Sequence, residues 1–153
     1  MVNPWITNSL LDSCAFDPKY SPEHEAALEL HNYWHQHSLL LIIAHSTKKE
    51  LEHPNTPPWV KKEAATRIYT IPTGNNPEQL KIKHKILNIL TGSGNPQNYV
   101  QDAEHIFEAH NYGSYFITTD GHILKKAREL SKILNVVILL PSQFLKLVKE
   151  NEA

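Results

Sequence analysis

The chain has 153 residues, 41% of them hydrophobic and 20% charged, which fits one globular domain and excludes disordered, collagen-like and coiled-coil proteins. Fifteen basic and sixteen acidic residues leave a net charge of -1, so no whole-chain field announces a nucleic-acid partner and any such contact must be local. The longest apolar run, Leu39 to Ala44, is far short of the ~20 residues of a membrane helix. The opening Met-Val-Asn-Pro-Trp carries no Lys or Arg and leads into no apolar core, which argues against export. A single cysteine, Cys14, forbids an internal disulfide and fits a reducing, cytoplasmic setting.

In chain order, Asn8 to Asp12 reads as a short strand. Ser21 then suits an N-cap with Pro22 at the first helical position, and Ala27, Leu30 and Trp34 keep helical spacing up to about Gln36. Leu39 to Ala44, apolar throughout, has the pattern of a strand buried on both faces. Thr47 to Glu52 and Pro57 to Ala65 read as short helices, Arg67 to Ile71 as an edge strand, and Pro77 to Leu90 as a longer helix ending at Gly92. Asn98 can cap a helix to about Tyr112 with Val100, Ala103, Ile106 and Phe107 inward; Tyr115 to Thr118 is a strand. Ile123, Ala127, Leu130 and Leu134 step along one helix face, Val136 to Leu140 is another apolar strand, and Pro141 opens a last helix to about Lys149. Strands alternating with helices predict an α/β layered fold with a mostly parallel sheet, whose site lies beyond the carboxyl ends of its strands.

Only four aspartates occur: Asp12, Asp17, Asp102 and Asp120. Asp12 closes the first predicted strand and Asp120 lies just beyond the strand at Tyr115. Asp102 and Glu50 fall in helix starts that face the same edge. Four acids gathered there would repel one another unless a cation held them, and hard oxygen ligands suit Mg²⁺ or Mn²⁺. Local alternatives stay open. Asp120 also suits a helix N-cap. Thr47-Lys48-Lys49-Glu50 also spells a capping box, the simplest local reading of Glu50, and Asp102 suits a helix dipole. Asp17 before Pro18 is a turn residue.

Leu10-Leu11-Asp12-Ser13-Cys14-Ala15-Phe16, Ser46-Thr47-Lys48-Lys49-Glu50-Leu51, Asp102-Ala103-Glu104-His105-Ile106-Phe107-Glu108-Ala109 and Phe116-Ile117-Thr118-Thr119-Asp120, in this order, resemble the successive motifs of PIN-domain nucleases. The likeness is strongest from Asp102 to Phe144. It implies a three-layer α/β/α fold of one domain over residues 1–153, a parallel sheet of about five strands, and a helical insertion at about 56–98. It carries an acid tetrad onto Asp12, Glu50, Asp102 and Asp120, holding Mg²⁺ or Mn²⁺. The implied activity is metal-dependent endoribonuclease cleavage of single-stranded RNA, the cation activating water and neutralising the leaving oxygen. The implied partners are single-stranded RNA, an antitoxin-like protein and a second copy of the chain in a homodimer. The competing reading is a PIN-like module that binds RNA or protein without cutting.

Ser13, Thr118 and Thr119 are candidates to hydrogen-bond a phosphate or a metal-bound water, with simple capping as the competing reading. Lys125, Lys126, Arg128, Lys132, Lys146 and Lys149 form a basic run against Glu129 alone; it reads first as a solvated face and second as a track for a phosphate backbone, with Lys125 the candidate nearest the acids. Ten histidines invite a zinc reading, but around His31, His35 and His37 the Glu of a His-Glu-x-x-His motif is replaced by Asn32. Cys14 lacks the surroundings of a nucleophile and takes the place of the second aspartate that an aspartate-based phosphohydrolase needs.

Overall fold

The computed structural model describes residues 2–71 and 76–152, with the His37 side chain outside the described part. Four strands make one all-parallel sheet in the order β2-β1-β3-β4: β1 Ser9–Leu11, β2 Leu41–Ile42, β3 Tyr115–Ile117 and β4 Val137–Leu139. The expected count of about five reduces to four. The predicted edge strand Arg67 to Ile71 contributes a single parallel bridge, Tyr69 to Ile43, made by Ile43 N–H on Ile68 O and Thr70 N–H on Ile43 O, both 2.9 Å. Exposed Ile68 and Ile71 flank that bridge, so the segment has too little buried surface to hold a longer ladder.

Eight α-helices accompany the sheet among the described residues: α1 Glu23–His37, α2 Lys48–Leu51, α3 Pro58–Ala64, α4 Pro77–Thr91, α5 Val100–Tyr112, α6 Gly121–Lys125, α7 Ala127–Ile133 and α8 Pro141–Glu150. Strand side chains alternate between two cores, as the pleat requires. Leu10, Ile42, Phe116 and Ile138 pack with α4 to α7 through Leu90, Phe107, Ile123 and Leu130. Leu11, Leu41, Tyr115 and Ile117 pack with α1, α3 and α8 through Leu30, Val60, Phe144 and Val148. The result is helices, sheet, helices: the expected α/β/α layering.

Several boundaries differ from the sequence reading, each for a local reason. The first helix begins at Glu23 rather than after a Ser21 cap, because the Ser21 hydroxyl turns to Glu25, 2.6 Å away. The helix expected from Asn98 begins at Val100 after a 3₁₀ turn, Pro96–Tyr99, whose start is capped by Asn95. Val100 is exposed rather than inward, and so is Leu80 on α4. The helix expected through Ile123 and Leu134 breaks at Lys126 into α6 and α7. The basic run therefore does not form one face. Lys125, Lys126, Arg128 and Lys132 belong to the α4–α7 layer, whereas Lys146 and Lys149 are on α8 across the sheet, where Lys149 pairs with Glu29 at 3.0 Å. Of the predicted insertion at 56–98, residues 72–75 lie outside the described part; the remainder supplies α3, the Tyr69 bridge and α4.

Gly113 joins α5 to β3 beneath β1. A Cβ there would meet Asn8 O at 2.6 Å and Leu10 Cδ1 at 2.8 Å, so only glycine lets the two chains approach this closely. With β2 on one side of β1 and β3, β4 on the other, the connections diverge at β1 and β3. Their carboxyl ends open the crevice in which α/β sheets place their sites.

Candidate metal centre

Backbone bonds carry β1 and β3 to the crevice. Asp12 N–H donates to Ile117 O at 2.9 Å, and Thr118 N–H to Leu139 O at 3.0 Å. Asp12 is buried, only 5% exposed. Its Oδ1 accepts Ser13 N–H at 2.9 Å, capping the 3₁₀ turn Ser13–Ala15, and its Oδ2 accepts the Thr118 hydroxyl at 2.8 Å. Thr118 is itself fully buried and accepts Asp120 N–H at 3.0 Å. That hydroxyl sets Asp12 and the turn to Asp120 from beneath. Burial raises the Asp12 pKa and Glu50 adds to the effect, against the lowering influence of His105 and of the Thr118 and Cys14 hydrogen bonds.

Glu50 reaches the same place from α2. The capping box does not form: Thr47 adopts helical backbone angles, makes no side-chain cap bond, and its buried hydroxyl has no partner. Glu50 turns inward instead, accepting the Ser13 hydroxyl at 2.5 Å and His105 Nε2 at 3.1 Å. The His105 hydrogen bond, aided by Ser13, holds its carboxyl below the ordinary glutamate value despite partial burial. Ser13 thus bridges the two acids, its N–H on Asp12 and its hydroxyl on Glu50.

Among the described residues, one group of three His, Cys, Asp or Glu side chains brings its ligating atoms within 4.8 Å of one another: Asp12, Glu50 and His105. The sequence reading omitted His105. A signal was present: Asp102, His105 and Glu108 recur every third residue, a polar stripe on α5 beside the inward Ala103, Ile106, Phe107 and Ala109. His105 Nδ1 meets the Ser46 hydroxyl at 2.6 Å, and that hydroxyl also meets the buried carboxylate of Glu108. Burial works against a charge on His105, but its bond to Glu50 and the charges of Asp12, Glu50 and Asp102 outweigh burial, and the pKa is raised.

Asp102, half-buried in the first turn of α5, belongs to the same field. Burial, then Asp120 and Asp12, push its pKa up to about 6. Asp120 is the N-cap of α6, its Oδ1 accepting the N–H groups of His122 at 2.9 Å and Ile123 at 3.1 Å. The cap reading of Asp120 is therefore realised, and the same carboxylate lies near enough to Asp102 to perturb it. Thr119, at the rim, donates its hydroxyl to Cys14 O at 3.2 Å. Cys14 is exposed, with its thiol 3.4 Å from Asp12 Oδ2; burial of the sulfur and that carboxylate push its pKa up to about 11. Lys125 is exposed at the end of α6, the helix that Asp120 opens.

The donor set fits a hard divalent cation. Asp102 and Asp120 stand outside the close group of Asp12, Glu50 and His105; burial first, and neighbouring carboxylates second, raise the pKa of Asp12 and Asp102, a cost that a cation relieves. In the histidine-rich stretch of α1, His31 and His35 are otherwise engaged. His31 binds Phe16 O at 2.9 Å through Nε2 and faces Arg67 through Nδ1, and His35 Nε2 meets Glu63 at 2.9 Å. No protein-family model matches the chain, and no curated protein matches it.

Proposed function

We propose that the chain is a metal-dependent phosphodiester hydrolase acting on single-stranded RNA, with Asp12, Glu50, Asp102 and Asp120 as its acid site for Mg²⁺ or Mn²⁺. The observation that carries this reading is the convergence of Asp12 and Glu50, 38 positions apart, with His105 on one point at the carboxyl end of β1. The order of the acid motifs, which resembles that of PIN-domain nucleases, supports the same reading. A bound divalent cation would supply a lowered water pKa and neutralise charge on the leaving oxygen.

The chain's own residues divide the remaining work. Asp12, immobilised by Ser13 and Thr118, is a rigid ligand, and Ser13 holds Glu50 at a fixed offset from it. Asp120 caps α6 through Oδ1, so a role at the site would fall to its other oxygen. Lys125 on α6 offers an exposed ammonium to a phosphate backbone passing the rim. A labelled single-stranded RNA should be cut in Mn²⁺ or Mg²⁺ and left intact in EDTA. Asp120→Asn is the discriminating variant, since asparagine keeps the N-cap while removing the charge. It should fold normally and lose activity by at least about a hundredfold, if one cation ligand is worth some 3 kcal/mol of barrier. Cutting at the wild-type rate by Asp120→Asn would contradict the mechanism.

The rival reading, a binding module without catalysis, draws on one feature: His105 Nε2 lies 3.1 Å from Glu50, so that a protonated ring would supply positive charge to the acids without an ion. RNA retention without cleavage in any divalent cation would favour it.

A further inference from the structure

Resting on the cation site proposed above, we infer that His105 Nε2 is a nitrogen ligand of that cation, oriented by Ser46 and Glu108, and that the site prefers Mn²⁺ to Mg²⁺. The argument begins at Glu108, a carboxylate in the middle of α5 that is 1% exposed. It accepts Ser46 N–H at 3.3 Å, the Ser46 hydroxyl, and the Thr70 hydroxyl at 3.0 Å. Thr70 in turn accepts His45 N–H at 2.8 Å. Burying a carboxylate is costly unless it is fully bonded, and here the bonds lead in one direction, from the Tyr69 bridge through Ser46 to the ring of His105.

The direction of those bonds fixes the tautomer. A serine hydroxyl has one hydrogen. With that hydrogen on Glu108, Ser46 Oγ presents only lone pairs to His105 Nδ1, 2.6 Å away. Nδ1 must therefore carry a hydrogen whatever Nε2 carries, and Nε2 is the atom aimed at Asp12 and Glu50. A carboxylate, reached here through a hydroxyl, that holds one ring nitrogen while the other faces a group of acids is the arrangement that orients metal-binding histidines. A cation at the cluster takes the place of the Nε2 proton, which passes to solvent.

The consequence is selectivity. Mg²⁺ demands oxygen ligands and near-ideal octahedral geometry, whereas imidazole suits transition ions. His105 lies one turn beyond Asp102 on α5, so one helix delivers both a nitrogen and an oxygen to the site, a mixed set that Mn²⁺ accepts more readily than Mg²⁺.

Pulsed electron paramagnetic resonance of Mn²⁺ bound to the whole chain reads the ligand atom directly. With Mn²⁺ at one equivalent, the wild type should show nitrogen modulation, and chain grown with ¹⁵N-labelled histidine should shift it to the ¹⁵N pattern; that pair needs no substitution. His105→Gln should abolish the modulation and weaken Mn²⁺ binding about tenfold or more while changing Mg²⁺ binding far less. Ser46→Ala should keep the modulation but weaken Mn²⁺ by about tenfold, the usual cost of losing a group that orients a ligand. Mn²⁺ bound in an Asp12-dependent way without nitrogen modulation, or modulation that survives in His105→Gln, would overturn the role of His105 and leave the acid site standing. Failure of the wild type to bind Mn²⁺, or equal binding by Asp12→Asn, would overturn the site itself.

Discussion

Asp102 shows how the acids press on one another. Its burial and the nearby Asp120 and Asp12 raise its pKa to about 6, above the ordinary aspartate value. A carboxyl raised in the folded state binds protons more tightly there than in the unfolded chain. Its stabilising contribution is therefore complete below about pH 4 and is lost as pH rises through about 6. In EDTA, the melting temperature of the wild type should fall across that interval, and Asp102→Asn should flatten the fall and melt about 2 °C higher at pH 7. An unchanged profile in the variant would show that Asp102 is not in the field of its neighbours. Cation affinity should run the opposite way, weakening below pH 6 as Asp102 takes up its proton. Thr47 offers a second test at this scale. Its hydroxyl is buried without a partner because Thr47 takes helical backbone angles and makes no cap bond to the N–H of the helix start. Thr47→Val should therefore be neutral or stabilising by up to about 1 kcal/mol, whereas a working box would lose about that much. Chemical denaturation of the two chains decides the sign.

Among the elements, α8 is held to α1 by a contact between residues remote in sequence. Buried Glu23, at the start of α1, accepts Ser142 N–H and the Ser142 hydroxyl, both at 2.8 Å, at the first turn of α8. Glu23 thereby satisfies an orphan N–H and places a negative charge against the helix dipole. Glu23→Ala should cost about 2 kcal/mol and lower the melting temperature by about 4–8 °C. Ser142→Ala combined with it should add little further loss, since the pair acts as a unit. Full additivity would deny the contact. Nothing in the sequence forecast this pairing, because it joins positions 119 apart and each residue alone reads as a solvated side chain at a helix start. The helices and apolar strands were legible, since their periodicity is set by burial: Leu39 to Ala44 and Val136 to Leu140 had to be covered on both faces. The break between α6 and α7 was not, as the apolar steps from Ile123 to Leu134 hold on either side of Lys126.

Across the whole molecule, the parallel order β2-β1-β3-β4 sets the ends of β1 and β3, which Asp12 and Asp120 follow, side by side. Asp12 and Asp120 could be placed from the sequence because each follows an apolar strand. The meeting of Asp12 with Glu50 depended on a competition that local reading could not resolve, between the Thr47 box and the Ser13 and His105 partners across the crevice. His105, Ser46 and Glu108 escaped notice for a related reason: a histidine or glutamate on a mostly apolar helix reveals its purpose only when the neighbouring layer supplies the partner.

The central claim is that a divalent cation belongs among these acids, and thermal unfolding in the presence of the cation tests it most directly. At free Mn²⁺ near one hundred times its dissociation constant the folded chain should gain about 2.7 kcal/mol, a rise of about 5–10 °C for a domain of this length. The rise should nearly vanish in a chain carrying both Asp12→Asn and Asp120→Asn. An equal rise in both chains would place the ion elsewhere and contradict the account.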